Sequence, residues 1–116
     1  MPGDPRPLEP LQYSGGVVAV VPVRLGSRRF PRKALADLGG LPVVEHVRRR
    51  ALAAHAVDRV VVAAADDEVV RVIRDHGGEV VHTGAARSGS QRVALAVDGM
   101  EPPPRLVVNV QGDQPL

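Results

Sequence analysis

No cysteine occurs among the 116 residues, which excludes a disulfide scaffold, a thiol nucleophile and any zinc site built on thiolates. Tyr13 and Phe30 are the only aromatic side chains, so recognition of nucleic acid by base stacking has almost nothing to use, and nucleic acid is not an expected partner. Lys33 is the only lysine; 15 lysines and arginines stand against 13 acids, a net charge of +2. That excess is too small to mark a polyanion-binding module, and arginine in place of lysine, with abundant alanine and valine, fits a GC-rich genome. There is no run of about 18 apolar residues, so no membrane span is read. Met1 to Gly16 carries four prolines and two acids without an apolar centre, which rules out a signal peptide. Residues 1–16 read as a flexible leader, and a cytoplasmic location is the default.

What remains is an ordinary globular composition, 44% hydrophobic and 24% charged, in a chain of single-domain length. From Val17 the pattern becomes regular. VVAVVPV (Val17 to Val23) is a β-branched run suited to a strand buried on both faces. A polar stretch from Arg24 to Lys33 and the turn signal Gly39-Gly40 follow. Pro42 suits the first turn of a helix over PVVEHVRRRALAAH. Its apolar stripe is Val43, Val47 and Ala51, flanked by Val44 and Leu52, with Glu45, Arg48 and Arg49 mostly outside it.

The alternation repeats. RVVVAA (Arg59 to Ala64) is a second strand, and Asp66, Asp67 and Glu68 place acids at the start of a helix over VVRVIRDH, where the positive end of the dipole favours them. Gly77-Gly78 ends that helix, and EVVH (Glu79 to His82) is a third strand. Ser88 or Ser90 caps a helix over QRVALAV, Met100 to Pro104 breaks the pattern, and RLVVNV (Arg105 to Val110) is a fourth strand. Strands alternating with helices predict an α/β domain over residues 17–116, an open parallel sheet of about four strands in βαβαβαβ order. Because the chain stops just past a strand, the expectation is a domain cut short.

In such a sheet, ligands bind outside the carboxyl ends of the strands, where the strand order reverses. Two segments expected there are chemically distinctive. Arg24, Arg28, Arg29, Arg32 and Lys33 put five cations within ten residues and no acid among them, with Gly26 and Ser27 beside them. Such a loop suits clustered phosphate oxygens, although a merely solvated basic loop has the same composition. After the last strand, Asp113 follows Gly112, placed to give one carboxylate to Mg²⁺, which completes its shell with phosphates and water; alone it would read as a turn aspartate before Pro115. Other templates fail. There is no Walker-type phosphate loop, no dinucleotide fingerprint, no nucleophile elbow, and no metal-ligand spacing among His46, His55, His76 and His82, which read as surface or helix-end residues.

PVRLGSRRFPRKAL resembles the signature P-A-R-x-x-S-x-R-x-P-x-K-x-L of the sugar-acid cytidylyltransferases, in particular the CMP-Kdo synthetase (3-deoxy-manno-octulosonate cytidylyltransferase) family. The likeness continues through GLPVVEHVRRRA, DRVVVA, GGEVVHT, SGSQR and VNVQGDQP, in the family's order, from Val17 to Leu116. It implies a Rossmann-like nucleotide-sugar transferase fold and transfer of CMP from CTP to a sugar acid such as Kdo, with release of pyrophosphate, in lipopolysaccharide or related surface-glycan synthesis. By position it implies that Arg24, Ser27, Arg29 and Lys33 grip the CTP triphosphate. Ser88, Gly89, Ser90 and Arg92 would belong to the cytidine pocket, Gln111 would lie near the substrates, and Asp113 would bind Mg²⁺. Lys33, Arg24 and Asp113 are the expected catalytic residues.

This chain departs from the family pattern at named positions. Ala63-Ala64-Ala65 stands where A-T-D is usual, Ala86-Arg87 where an Asp-His pair precedes S-G-T, Gln114 for the glutamate of Q-G-D-E-P, and Leu95 for a helix glutamate. Arg32 and Ala34 replace the Gly and Pro flanking the lysine. The resemblance covers only the family's first half. The other half would supply most of the sugar-acid pocket, a second metal-binding aspartate and the dimer surface, so a homodimer or a partner chain bringing that half is implied. Three functions follow: a Kdo-type cytidylyltransferase, a truncated inactive relative that binds nucleotide without turnover, or a nucleotidyltransferase of this fold acting on another sugar.

Overall fold

The computed structural model describes residues 16–26 and 32–111. In chain order the elements are β1 (Val17–Val23), a 3₁₀ turn (Lys33–Leu35), β2 (Asp37–Leu38), β3 (Leu41–Pro42), α1 (Val43–Leu52), β4 (Arg59–Ala64), α2 (Asp67–Asp75), β5 (Glu79–His82), α3 (Gly89–Val97) and β6 (Leu106–Asn109). The four longer strands form one parallel sheet in the order β5-β4-β1-β6, the expected α/β architecture. The chain moves outward from β1 to β4 to β5, then returns to the other side of β1. The order therefore reverses between β1 and β6.

The absence of any polar residue from β1 explains its central place. Successive side chains of a strand point to opposite faces, so an all-apolar run needs cover on both. Ala19, Val21 and Val23 pack with Val44 and Val47 of α1 and Val69 and Ile73 of α2. Val18 and Val20 pack on the opposite face with Val93 and Ala96 of α3. β4 splits the same way, Val60, Val62 and Ala64 to one side and Val61 and Ala63 to the other. Among the described residues no helix is long and apolar enough to cross a membrane.

The β2–β3 ribbon was not expected from the sequence. Gly39 and Gly40 have φ of +64° and +94°, the pair of left-handed conformations that a two-residue hairpin needs and that glycine adopts freely. The Gly-Gly signal marks the turn, but strands two residues long leave no periodicity to read.

α1 differs from expectation in two ways. It ends at Leu52, short of His55, where the Ala53 N–H returns to the carbonyls of Arg49 and Arg50. More consequentially, the stripe of Val43, Val44, Val47 and Ala51 is buried as expected, but Glu45 and Arg48 are buried beside it and Leu52 is about half exposed. The reason is a second neighbour: Arg48 reaches the carboxyl end of α2, donating from Nη2 to the His76 carbonyl at 3.3 Å. Glu45 accepts from Arg48 at 2.8 and 2.7 Å and from Arg49 Nε at 2.6 Å. Burial pushes the Glu45 carboxyl up, but the two guanidinium groups outweigh it and hold it below its ordinary range. A buried carboxylate is tolerable on those terms because charged partners satisfy its oxygens. Gly78 completes the joint; a Cβ there would lie 2.7 Å from Ile73 and 2.8 Å from Arg48.

Candidate functional site

At the point where the strand order reverses, the tips of β1 and β6 and the start of α3 enclose a cleft of about 400 Å³. β1 contributes Pro22, Val23 and Arg24 to its wall, the far side comes from Asn109 and Gln111, and residues 86–90 with Arg92 close the third side. This is where ligands of open α/β sheets bind.

The α3 side is built by capping. The Ser88 hydroxyl accepts the Gln91 N–H at 3.0 Å, and the Gln91 side-chain oxygen accepts the Arg87 N–H, a reciprocal arrangement that fixes the entry to the helix. Of the two serines expected as caps, Ser88 does the capping. The first N–H groups of a helix have no acceptors within it and sit at the positive end of its dipole, which makes this turn a natural seat for an anion. At Gly89, a Cβ would meet only Pro22 at 3.8 Å, ordinary contact. Packing does not demand glycine there, whereas a ligand lying against the backbone would.

Arg92 is buried, with 3% of its surface exposed. Its Nη1 donates to the Thr83 hydroxyl at 2.7 Å and to the Gly84 carbonyl, while the Thr83 N–H donates to the Ala64 carbonyl at 2.8 Å. One guanidinium thus ties the β5–α3 connection to the helix and to the end of β4. Thr83 has no part in the sequence expectations beyond its place in GGEVVHT.

The cleft brings together Arg24, Ser88, Gly89, Ser90, Arg92 and Gln111, six of the expected site residues. Lys33 lies in the 3₁₀ turn and is not among the lining residues. Ser27, Arg28, Arg29, Asp113 and Gln114 fall outside the described residues, and so does any facing of Lys33 and Asp113. Arg32, counted among the five loop cations, is ion-paired to Glu68 of α2. Two further polar lining residues were not anticipated, Arg87 and Asn109. A polar residue at the carboxyl end of an otherwise apolar strand was the available signal for Asn109. Arg87 stands in the sequence only as a departure from a family motif.

Electrostatically the described lining holds three arginines, Arg24, Arg87 and Arg92, and no carboxylate. Such a surface takes an anionic ligand. Among the described residues no group of three or more His, Asp or Glu is placed to hold a metal ion.

Comparison with known proteins gives the same direction. A family model described as cytidylyltransferase matches residues 18–116. A 3-deoxy-manno-octulosonate cytidylyltransferase of Anaeromyxobacter sp. (strain K) is 50% identical over 100 residues, covering 86% of this chain and 41% of the relative. The chain thus spans about two-fifths of the length of the curated relatives it matches, and the stretch matched is their N-terminal part. Among solved structures, a CMP:2-keto-3-deoxy-manno-octonic acid synthetase complexed with CTP superposes with a TM-score of 0.80 at 36% identity, over 86% of this chain and 41% of that one. A cytidylyltransferase from Leptospira borgpetersenii, at 23% identity and a TM-score of 0.67, shares the fold. With its strand order, its arginine-lined cleft at the reversal point and a family match running from Val18 to Leu116, the chain belongs to the cytidylyltransferases.

Proposed function

We propose that the cleft binds CTP and that the protein, with the remaining part of such an enzyme, transfers CMP to a sugar acid of the Kdo type, releasing pyrophosphate. The observation that carries this is the convergence of Arg24, Arg87, Arg92 and the start of α3 on one cleft whose described lining holds no carboxylate. An acceptor hydroxyl of the sugar acid attacks the α-phosphorus and gives up its proton to solvent, the bond to the bridging oxygen breaks, and pyrophosphate leaves with that electron pair. The reaction needs no covalent protein intermediate, which suits a chain without cysteine; positioning and charge stabilisation supply the rate. Arg24 and the loop after β1, with Ser27, Arg29 and Lys33, would hold the triphosphate. Ser88 to Arg92 would form the nucleoside side, and Gln111 would stand beside the reacting groups. Magnesium would be held by Asp113, phosphate oxygens and water, offsetting charge on the phosphates; the described lining offers no competing carboxylate. The product suits surface-glycan synthesis, and the acceptor pocket would come from the rest of the enzyme or a partner chain.

Calorimetric titration with CTP and magnesium, against GTP and ATP, tests the binding step. A preference for CTP supports the reading, and indifference among the nucleotides overturns it. Where pyrophosphate release with Kdo is measurable, Lys33→Ala and Asp113→Ala each lower it at least tenfold; unchanged rates refute those two roles. A second reading, nucleotide binding without turnover, draws support from the corner after β4. Ala64 and Ala65 offer no hydroxyl or acid, and the next carboxylate, Asp66, is bonded to the Leu25 N–H. CTP uptake with no pyrophosphate release in the presence of the acceptor would select it.

A further inference from the structure

The strand β1 leads into the cationic segment through Arg24, which lines the cleft. One residue on, the Leu25 N–H donates to Asp66 Oδ2 at 3.0 Å. The Leu25 carbonyl in turn accepts the Arg32 N–H at 3.0 Å, so residues 25 and 32 are joined as the neck of a loop. Across that neck, Arg32 pairs with Glu68. Both carboxylates come from one place, the β4–α2 corner, 41 and 36 residues away from their partners.

Asp66 is unusual in what it leaves undone. It occupies the N-cap of α2, where an aspartate ordinarily accepts an N–H of its own first turn. Here its side chain makes no bond to the helix it precedes. The carboxylate serves another segment and the helix end goes without its cap, a local loss of stability of the kind found where function sets the geometry. Arg32 shows the same bias. Its φ of +63° and ψ of +18° are left-handed, a conformation that glycine adopts freely and an arginine resists, yet a long cationic side chain at this point is what reaches Glu68.

We infer that Asp66 is a positioning residue for Arg24, setting the backbone at the exit of β1 through the Leu25 amide, and that Glu68 reinforces it by holding Arg32 across the neck. This rests on the reading of the cleft as a nucleotide site. Neither acid lines the cleft; their effect runs through the direction in which Arg24 leaves the sheet.

The test uses the full 116-residue chain and two readouts, CTP–magnesium affinity by calorimetry and exchange of the Leu25 amide by NMR. Asp66→Ser keeps a good N-cap residue for α2 but cannot reach Leu25. It is expected to leave thermal stability equal or higher, to speed Leu25 exchange at least tenfold, and to weaken CTP binding about fivefold to tenfold. Asp66→Asn retains an acceptor oxygen at the same reach and is expected to stay within about twofold of wild type on both readouts. Glu68→Ala weakens binding by a smaller factor, and Arg32→Gly added to it restores affinity, because glycine holds the left-handed conformation unaided. A role confined to the start of α2 predicts that Asp66→Ser, still a good N-cap residue there, changes neither readout; that outcome overturns the inference. If wild type takes up no CTP, the nucleotide reading fails by itself, and Leu25 exchange still decides the tie. Acceleration in Asp66→Ser upholds it, and unchanged exchange refutes it.

Discussion

Two sides of the cleft, the one formed by α3 and the one formed by β1, are fixed by different physics. On the α3 side a buried cation, Arg92, is satisfied by uncharged oxygens, the Thr83 hydroxyl and the Gly84 carbonyl. On the β1 side the neck of the loop is held by carboxylates, one on a backbone amide and one on the exposed guanidinium of Arg32. A buried cation with neutral partners is hardly screened by salt and has no acidic partner to titrate, whereas a surface ion pair weakens with both salt and acid. The α3 side is therefore rigid scaffold, and the β1 side is responsive. The difference also sorts the residues by what their loss costs.

The sharpest way to break this contrast is Arg92→Ala. It removes two hydrogen bonds from a charged donor and leaves space in a buried site, so unfolding free energy is expected to fall by about 3 kcal/mol. CTP affinity falls at least tenfold because the β5–α3 connection loses its tie. Urea denaturation at low and high salt should give the same loss at both. A loss below about 1 kcal/mol, or one that shrinks markedly with salt, would place Arg92 with the responsive side instead.

Next in size, two adjacent residues on the scaffold side should separate stability from binding. Ser88→Ala removes the cap of α3 and is expected to cost about 1 kcal/mol. Gly89→Ala is expected to act with opposite sign on stability, raising it by about 0.5–1 kcal/mol, because alanine fits a helix better and the modest contact with Pro22 is tolerated. CTP binding should nevertheless weaken in Gly89→Ala, since the added methyl lies where a ligand would approach the backbone. Thermal melts and titrations on the same samples check both; a variant more stable and equally tight would show that nothing approaches Gly89.

Much of this was legible in the sequence, for a physical reason. The strands announce themselves as short β-branched runs, and glycine pairs punctuate them, so the parallel sheet and its three helices follow from patterning that is local. Ser88 was legible as a cap because its partner, Gln91, is three residues away. What stayed hidden depends on distant partners. Glu45 and Arg48 read as a solvated face because nothing near α1 in the chain says that the end of α2 lies against it. Asp66 reads as one of three acids favoured at the start of a helix, and its actual partner is Leu25, 41 residues earlier. Arg32 reads as one more phosphate-binding cation, and only the fold reveals the acid opposite it. Periodicity describes one element against one neighbour, and these residues each answer to two.

The smallest expected effect lies on the responsive side, and its sign can be worked out. The hydrogen bond from Arg32, with the positive charges of Arg32 and Arg71, holds the Glu68 carboxyl below its ordinary range, against a smaller opposing effect of burial. A carboxylate whose value is lowered on folding stabilises the native state at pH above its unfolded value, and that contribution disappears as the pH falls through the lowered one. Wild type should therefore melt slightly above Glu68→Gln at neutral pH and low salt, with the gap closing as the pH drops below about 4. The gap should also close at neutral pH in about 1 M salt, where charges beyond roughly 3 Å are screened. Arg92→Ala measured beside it should lose the same stability under high and low salt. If instead the Glu68→Gln gap persists in high salt, the pair is acting as a fixed hydrogen bond, and the β1 side is as rigid as the α3 side opposite.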